Sequence, residues 1–106
     1  MTAWLALALA GLFEIVAAYG LKHTHGFTRL WPSIGTLLAI GLSFAFFAVS
    51  LRSVPLGTAY AVWAGIGAAG TMALGMLAFG EPADTGRVLC LILIVTGTIG
   101  LRFATN

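Results

Sequence analysis

A chain of 106 residues with 60 % hydrophobic and 8 % charged side chains is not a water-soluble domain, which usually carries about a quarter charged residues. Its mean hydropathy of +1.07 names the bilayer as its solvent. The formal charge of +2 comes from basic residues at or near the ends of apolar runs, a pattern of topology signals and headgroup contacts rather than nucleic-acid binding. Spans of roughly 20 apolar residues leave room for four of them, hence one transmembrane domain over residues 1–106 and no separate water-exposed domain.

In chain order, the first apolar run covers residues 3–21, interrupted only by Glu14 and closed by Lys22. It has no basic leader and carries an acid in its centre, so it reads as a retained span rather than a cleaved signal. A polar connection, His23-Thr24-His25-Gly26-Phe27-Thr28-Arg29, leads to Trp31-Pro32 and a second run over 33–51. Arg52 and the turn Ser53-Val54-Pro55 precede a third run over 57–79, and Gly80-Glu81-Pro82-Ala83-Asp84 separates it from the fourth, 88–104. Only helices and closed barrels satisfy every backbone group in lipid, and segments this long without alternation exclude a barrel. The fold class is therefore an all-α membrane protein with four transmembrane helices.

The basic residues divide almost evenly between the two membrane faces. Lys22, Arg29 and Arg87 fall on one side, Arg52 and Arg102 on the other. Orientation is normally set by a marked Lys/Arg excess on the cytoplasmic face. A balance this close permits insertion both ways up and hence an antiparallel (dual-topology) homodimer; a single fixed orientation set by a small bias is the alternative.

Glu14 is the first candidate for function. A charge at the bilayer centre costs at least ~2.5 kcal/mol on insertion scales and generally faces a cavity or a partner. No other apolar run holds an acid or a base away from its ends, so a proton, a cationic substrate or a second copy of the chain must answer it. Ala10, Gly11, Ala17 and Ala18 share its helix face and leave volume beside it. On the third helix Tyr60 and Trp63 stand one turn apart, each an apolar ring with one polar hydrogen, suited to a carboxylate or a cation. The Ser43 hydroxyl, midway along the second helix, either bonds its own backbone or donates to Glu14.

Five glycines mark the third run, and the pair Gly65 and Gly67 is both a close-packing surface and a candidate hinge. Gly97 and Gly100 on the fourth helix form a small-residue contact face for self-association. Trp4 and Trp31 are interfacial anchors. His23 and His25 read as solvated loop residues, and Cys90 as a small packing residue with no metal-ligand spacing around it. No nucleotide-binding loop and no nucleophile–base set is present, so neither a cofactor, a metal nor enzyme activity is expected.

Three stretches resemble the small multidrug resistance transporters: Gly11-Leu12-Phe13-Glu14; the loop from Gly20 to Leu30; and Pro55-Leu56-Gly57-Thr58-Ala59-Tyr60-Ala61-Val62-Trp63-Ala64-Gly65-Ile66-Gly67. Gly11, Phe13, Ser43 and the run Gly57-Thr58-Ala59-Tyr60 look most like the guanidinium-exporter subtype. The resemblance implies a proton-coupled antiporter in a bacterial inner membrane, working as an antiparallel homodimer. Glu14 would bind protons or the exported cation, with Gly11, Ala17, Ser43, Tyr60 and Trp63 lining the site. The first three helices would form the chamber and the fourth the dimer contact. One position departs from the subtype: Ala17 stands where it typically has tryptophan. The lost donor and volume imply tolerance of substituted guanidiniums such as guanylurea. Export of quaternary ammonium and other lipophilic cations is the alternative within transport, and a partner subunit needing a homologous second chain is the alternative outside it.

Overall fold

The computed structural model describes residues 2–104. Its four helices are α1 (Ala3–His23), α2 (Leu30–Ser50), α3 (Leu56–Ala78) and α4 (Thr85–Ala104). Each is long and apolar enough to cross a bilayer, and the protein is read as a multi-pass membrane protein.

The helix ends follow from local hydrogen bonding. Thr2 caps α1 by accepting from the Leu5 N–H at 3.1 Å. At the other end the Thr24 hydroxyl donates to the Leu21 carbonyl at 2.8 Å and accepts from the Phe27 N–H at 3.2 Å. The chain then reverses through three successive left-handed residues, His25, Gly26 and Phe27. α2 begins at Leu30, three residues before its apolar run, because Pro32 lies in the first turn, where no backbone donor is required. α4 likewise starts at Thr85 rather than 88. The Asp84 carboxylate accepts from the Arg87 N–H at 2.9 Å and pairs with the Arg87 guanidinium at 2.6 Å, a side-chain cap of the usual kind.

The helices stand in a row, α2–α1–α3–α4, in a plate whose Cα extents are 43 × 35 × 18 Å. Although α2 and α3 are consecutive, their backbones barely meet, and α1 is wedged between them. The side chains explain why. α1 buries Ala6, Leu7, Ala10, Gly11 and Ala17, a face narrow enough for two neighbours to approach. Gly11 lies against Ile66 of α3, and Gly70 of α3 lies against Ile15.

Between α2 and α3, by contrast, the contact is made by rings. Phe47 stacks on Trp63 with centroids 4.7 Å apart, Phe44 lies 5.2 Å from Trp63, and Phe47 is edge-on to Tyr60 at 6.5 Å. Bulky aromatics hold these two helices apart while small residues draw α1 into both. The core is the resulting cluster of Leu7, Ala10, Val54, Ala59, Val62 and Trp63.

α4 packs on α3 and has no buried residue; Leu91, Ile94, Thr98 and Leu101 are its half-buried stripe. Two cation–π contacts, one at each membrane end of the bundle, agree with its up–down layout. The Lys22 ammonium sits 4.6 Å from the Phe79 ring, joining the ends of α1 and α3, and the Arg102 guanidinium sits 4.8 Å from the Trp4 ring, joining the end of α4 to the start of α1. Cys90 is exposed on α4, not packed as its apolar surroundings in the chain suggested.

Candidate functional site

Where the rings spread α2 from α3, a cavity of about 210 Å³ remains, lined by Glu14 and Ala17 of α1, Ile40, Ser43 and Phe44 of α2, and Trp63 of α3. Its walls are apolar or aromatic except at Glu14 and Ser43. Four residues singled out in the sequence thus meet around one space: Glu14, Ala17, Ser43 and Trp63.

The polar hydrogens in this cavity are already committed. Trp63 Nε1 donates to Ser43 Oγ at 2.9 Å, and Ser43 Oγ donates to the Ala10 carbonyl at 2.7 Å. This relay crosses all three helices and bypasses the acid, so Ser43 bonds neither its own helix nor Glu14. Oε2 of Glu14 is buried and has no hydrogen-bond partner. Among the described residues no ion pair reaches it; Lys22 and Arg102 lie over rings, and Arg87 pairs with Asp84. On its other side the carboxyl abuts Gly67 of α3, where a Cβ would stand 2.8 Å from Cδ and 2.9 Å from Oε2.

Two expected lining residues lie elsewhere. Gly11 faces Ile66 and belongs to the α1–α3 contact. Tyr60 is 57 % exposed and reaches the site only through its ring, edge-on to Trp63 at 5.6 Å. Tyr19 does not replace the missing indole at 17: its ring lies 4.7 Å from His23 and 5.7 Å from Phe79. His23 itself corrects the loop expectation, since it is the last residue of α1, half-buried, with Nε2 enclosed. His25 is exposed in the turn.

Across Gly65 and Gly67 α3 continues unbroken, with Gly65 against Thr98 of α4. Gly97 and Gly100 have open space where a Cβ would be. Ile40 and Phe44 went unmarked in the sequence because apolar residues on a lipid-spanning helix carry no chemical flag. The signal that could have found them is spacing: Ile40 stands three residues before Ser43 and four before Phe44, so it shares a helix face with each.

The family profile described as Small Multidrug Resistance protein matches residues 2–94. The chain is 53 % identical over 103 residues to a guanidinium exporter of Citrobacter freundii, covering 97 % of this chain and 98 % of that protein. It is 52 % identical to a guanidinium exporter of Yersinia pseudotuberculosis over the same share of this chain and 99 % of that protein. A guanidinium exporter of Proteus vulgaris is 52 % identical over 102 residues, 96 % of this chain and 98 % of the other.

Proposed function

We propose that this chain, which belongs to the Small Multidrug Resistance protein family, is a proton-coupled antiporter exporting guanidinium or substituted guanidinium cations across a bacterial inner membrane. The observation that carries the substrate class is the Glu14 carboxyl lining a cavity whose other polar hydrogens are spent on each other. No ion pair among the described residues answers that carboxyl, so the ligand must bring its own donors. A guanidinium offers planar N–H groups that match a carboxylate in a two-bond fork; a quaternary ammonium ion offers none. The relatives' names agree with this chemistry.

Mechanism follows from exclusivity. Proton and cation compete for one carboxylate, so binding of either expels the other. Trp63 and Phe44 supply ring faces for the flat cation, and Ser43 fixes the indole. If the site opens alternately to the two sides, each exported cation is exchanged for protons. A second copy, inserted the opposite way up, completes the chamber in this reading. Gly97 and Gly100, open on α4, supply its contact face, and Gly65 and Gly67 let α3 bend between states.

The test is a substrate panel on liposomes holding only this chain. Guanidinium should drive proton flux, tetra-alkyl ammonium should not, and Glu14→Gln should abolish exchange while leaving helix content unchanged. Coupled flux with quaternary ammonium alone would favour the lipophilic-cation reading, which the apolar lining and Ala17 support. A chain inert by itself but active with a homologous partner would replace the homodimer.

A further inference from the structure

We infer that Gly67 is a positioning residue for the Glu14 carboxyl, its absent side chain forming the berth in which that group rests. The inference depends on the reading of Glu14 as the shared proton and cation site. A Cβ at 67 would lie 2.8 Å from Cδ, 2.9 Å from Oε2 and 3.2 Å from Cγ of Glu14, all inside the 3.5–4.0 Å at which non-bonded carbon atoms are at rest. Gly67 is itself buried.

The other close glycines within the α1–α3–α4 packing differ in what they admit. Gly11 admits Ile66, Gly70 admits Ile15, and Gly65 admits Thr98, all β-branched side chains with restricted χ1 on a helix. At Gly67 the admitted group is the free end of a side chain with three torsions. A methyl group there would be relieved by the carboxyl swinging away, not by the helices separating. The fold would tolerate the change and the site would not. A carboxyl displaced by even an ångström no longer presents the same oxygens beside Ser43 and Trp63.

The hinge reading of the same residue makes a different demand, because a hinge is indifferent to the length of the acid opposite it. Four proteins separate the two: the unaltered chain, Gly67→Ala, Glu14→Asp, and both together, compared for guanidinium-driven proton flux in liposomes and for guanidinium affinity by tryptophan fluorescence. Aspartate is one methylene shorter and withdraws from a Cβ at 67. Gly67→Ala should cost about tenfold beside the native glutamate, the scale of an overpacked contact. In the Glu14→Asp background it should cost less than about twofold, within the additivity error of independent sites. Equal losses in both backgrounds, or no loss beside Glu14, would overturn the berth. If Gly67→Ala fails to fold, recovery of the fold in the double variant supports it and failure of both overturns it. If Glu14→Asp is too slow for flux, the affinity and unfolding midpoints of the four proteins decide by the same comparison. Wild-type exchange by Glu14→Gln would instead sink the site reading itself, whatever happens at 67.

Discussion

Trp63, Ser43 and the Ala10 carbonyl form a relay whose middle member is irreplaceable by an apolar residue. Ser43 is 2 % exposed, and it is the acceptor for the Trp63 indole. Truncating it strands a buried N–H, which costs about 1–3 kcal/mol, whereas removing both partners is cheaper because nothing is left unpaired. Ser43→Ala should therefore lower the unfolding midpoint in detergent. Ser43→Ala with Trp63→Phe should fall short of the sum of the single losses, the signature of coupled neighbours. Strict additivity would mean the relay does not hold in the folded protein. Ala17 makes the opposite kind of prediction, about function rather than stability. It lines the cavity with a single methyl group, so Ala17→Trp should keep guanidinium transport and sharply reduce transport of alkylated guanidiniums and guanylurea. Uptake competition in liposomes measures that ratio, and an unchanged ratio would show that the space at 17 does not set selectivity.

At the scale of the elements, the arrangement of α1 between α2 and α3 depends on which small residues meet which branched ones. Gly11 faces a stiff neighbour: a Cβ there would lie 2.7 Å from Ile66 Cβ, the branch point next to the α3 backbone. Gly11→Ala should push α1 off α3 and destabilise the protein by about 1–3 kcal/mol, the usual cost of overpacking, with partial recovery when Ile66→Ala is added. Thermal unfolding of the three variants tests it. This level also marks how far the sequence could be read. All four helices were legible, since lipid leaves apolar runs almost no other conformation. The starts of α2 and α4 were not, because Pro32 in a first turn and the Asp84 cap extend helices past their apolar cores. Glu14 was legible as a lone acid in lipid, and Ala17, Ser43 and Trp63 by their place on helices. The row order was not, because chain adjacency suggests that α2 and α3 should be neighbours, and only the size of Phe44, Phe47 and Trp63 against the smallness of α1 reverses it. Tyr60 shows the same limit: one turn from Trp63, it is still rotated outward.

The whole molecule is a plate whose Cα atoms span 18 Å in the thin direction, and its broad faces are apolar. Leu38, Leu77 and Leu93 are 63 %, 88 % and 71 % exposed, a surface that only lipid or another copy of the chain can cover. A single plate cannot enclose a cavity on every side, which is the physical reason for expecting a second protomer over the Glu14 site. Whether that protomer is inverted depends on charge. Lys22, Arg29 and Arg87 at one end oppose Arg52 and Arg102 at the other, and acidic residues such as Asp84 count little toward orientation. Adding Thr28→Lys and Ala83→Lys should commit every copy to one orientation. If function needs two opposed copies, cells expressing only that variant should lose guanidinium resistance. Co-expression with a chain biased the other way, carrying Ser53→Lys and Thr2→Lys, should restore it. Reporters fused to the C-terminus establish the orientation of each variant, so the outcome reads on assembly and not on expression. Full resistance from the first variant alone would mean that copies inserted the same way suffice, and the even charge balance would then have no part in transport.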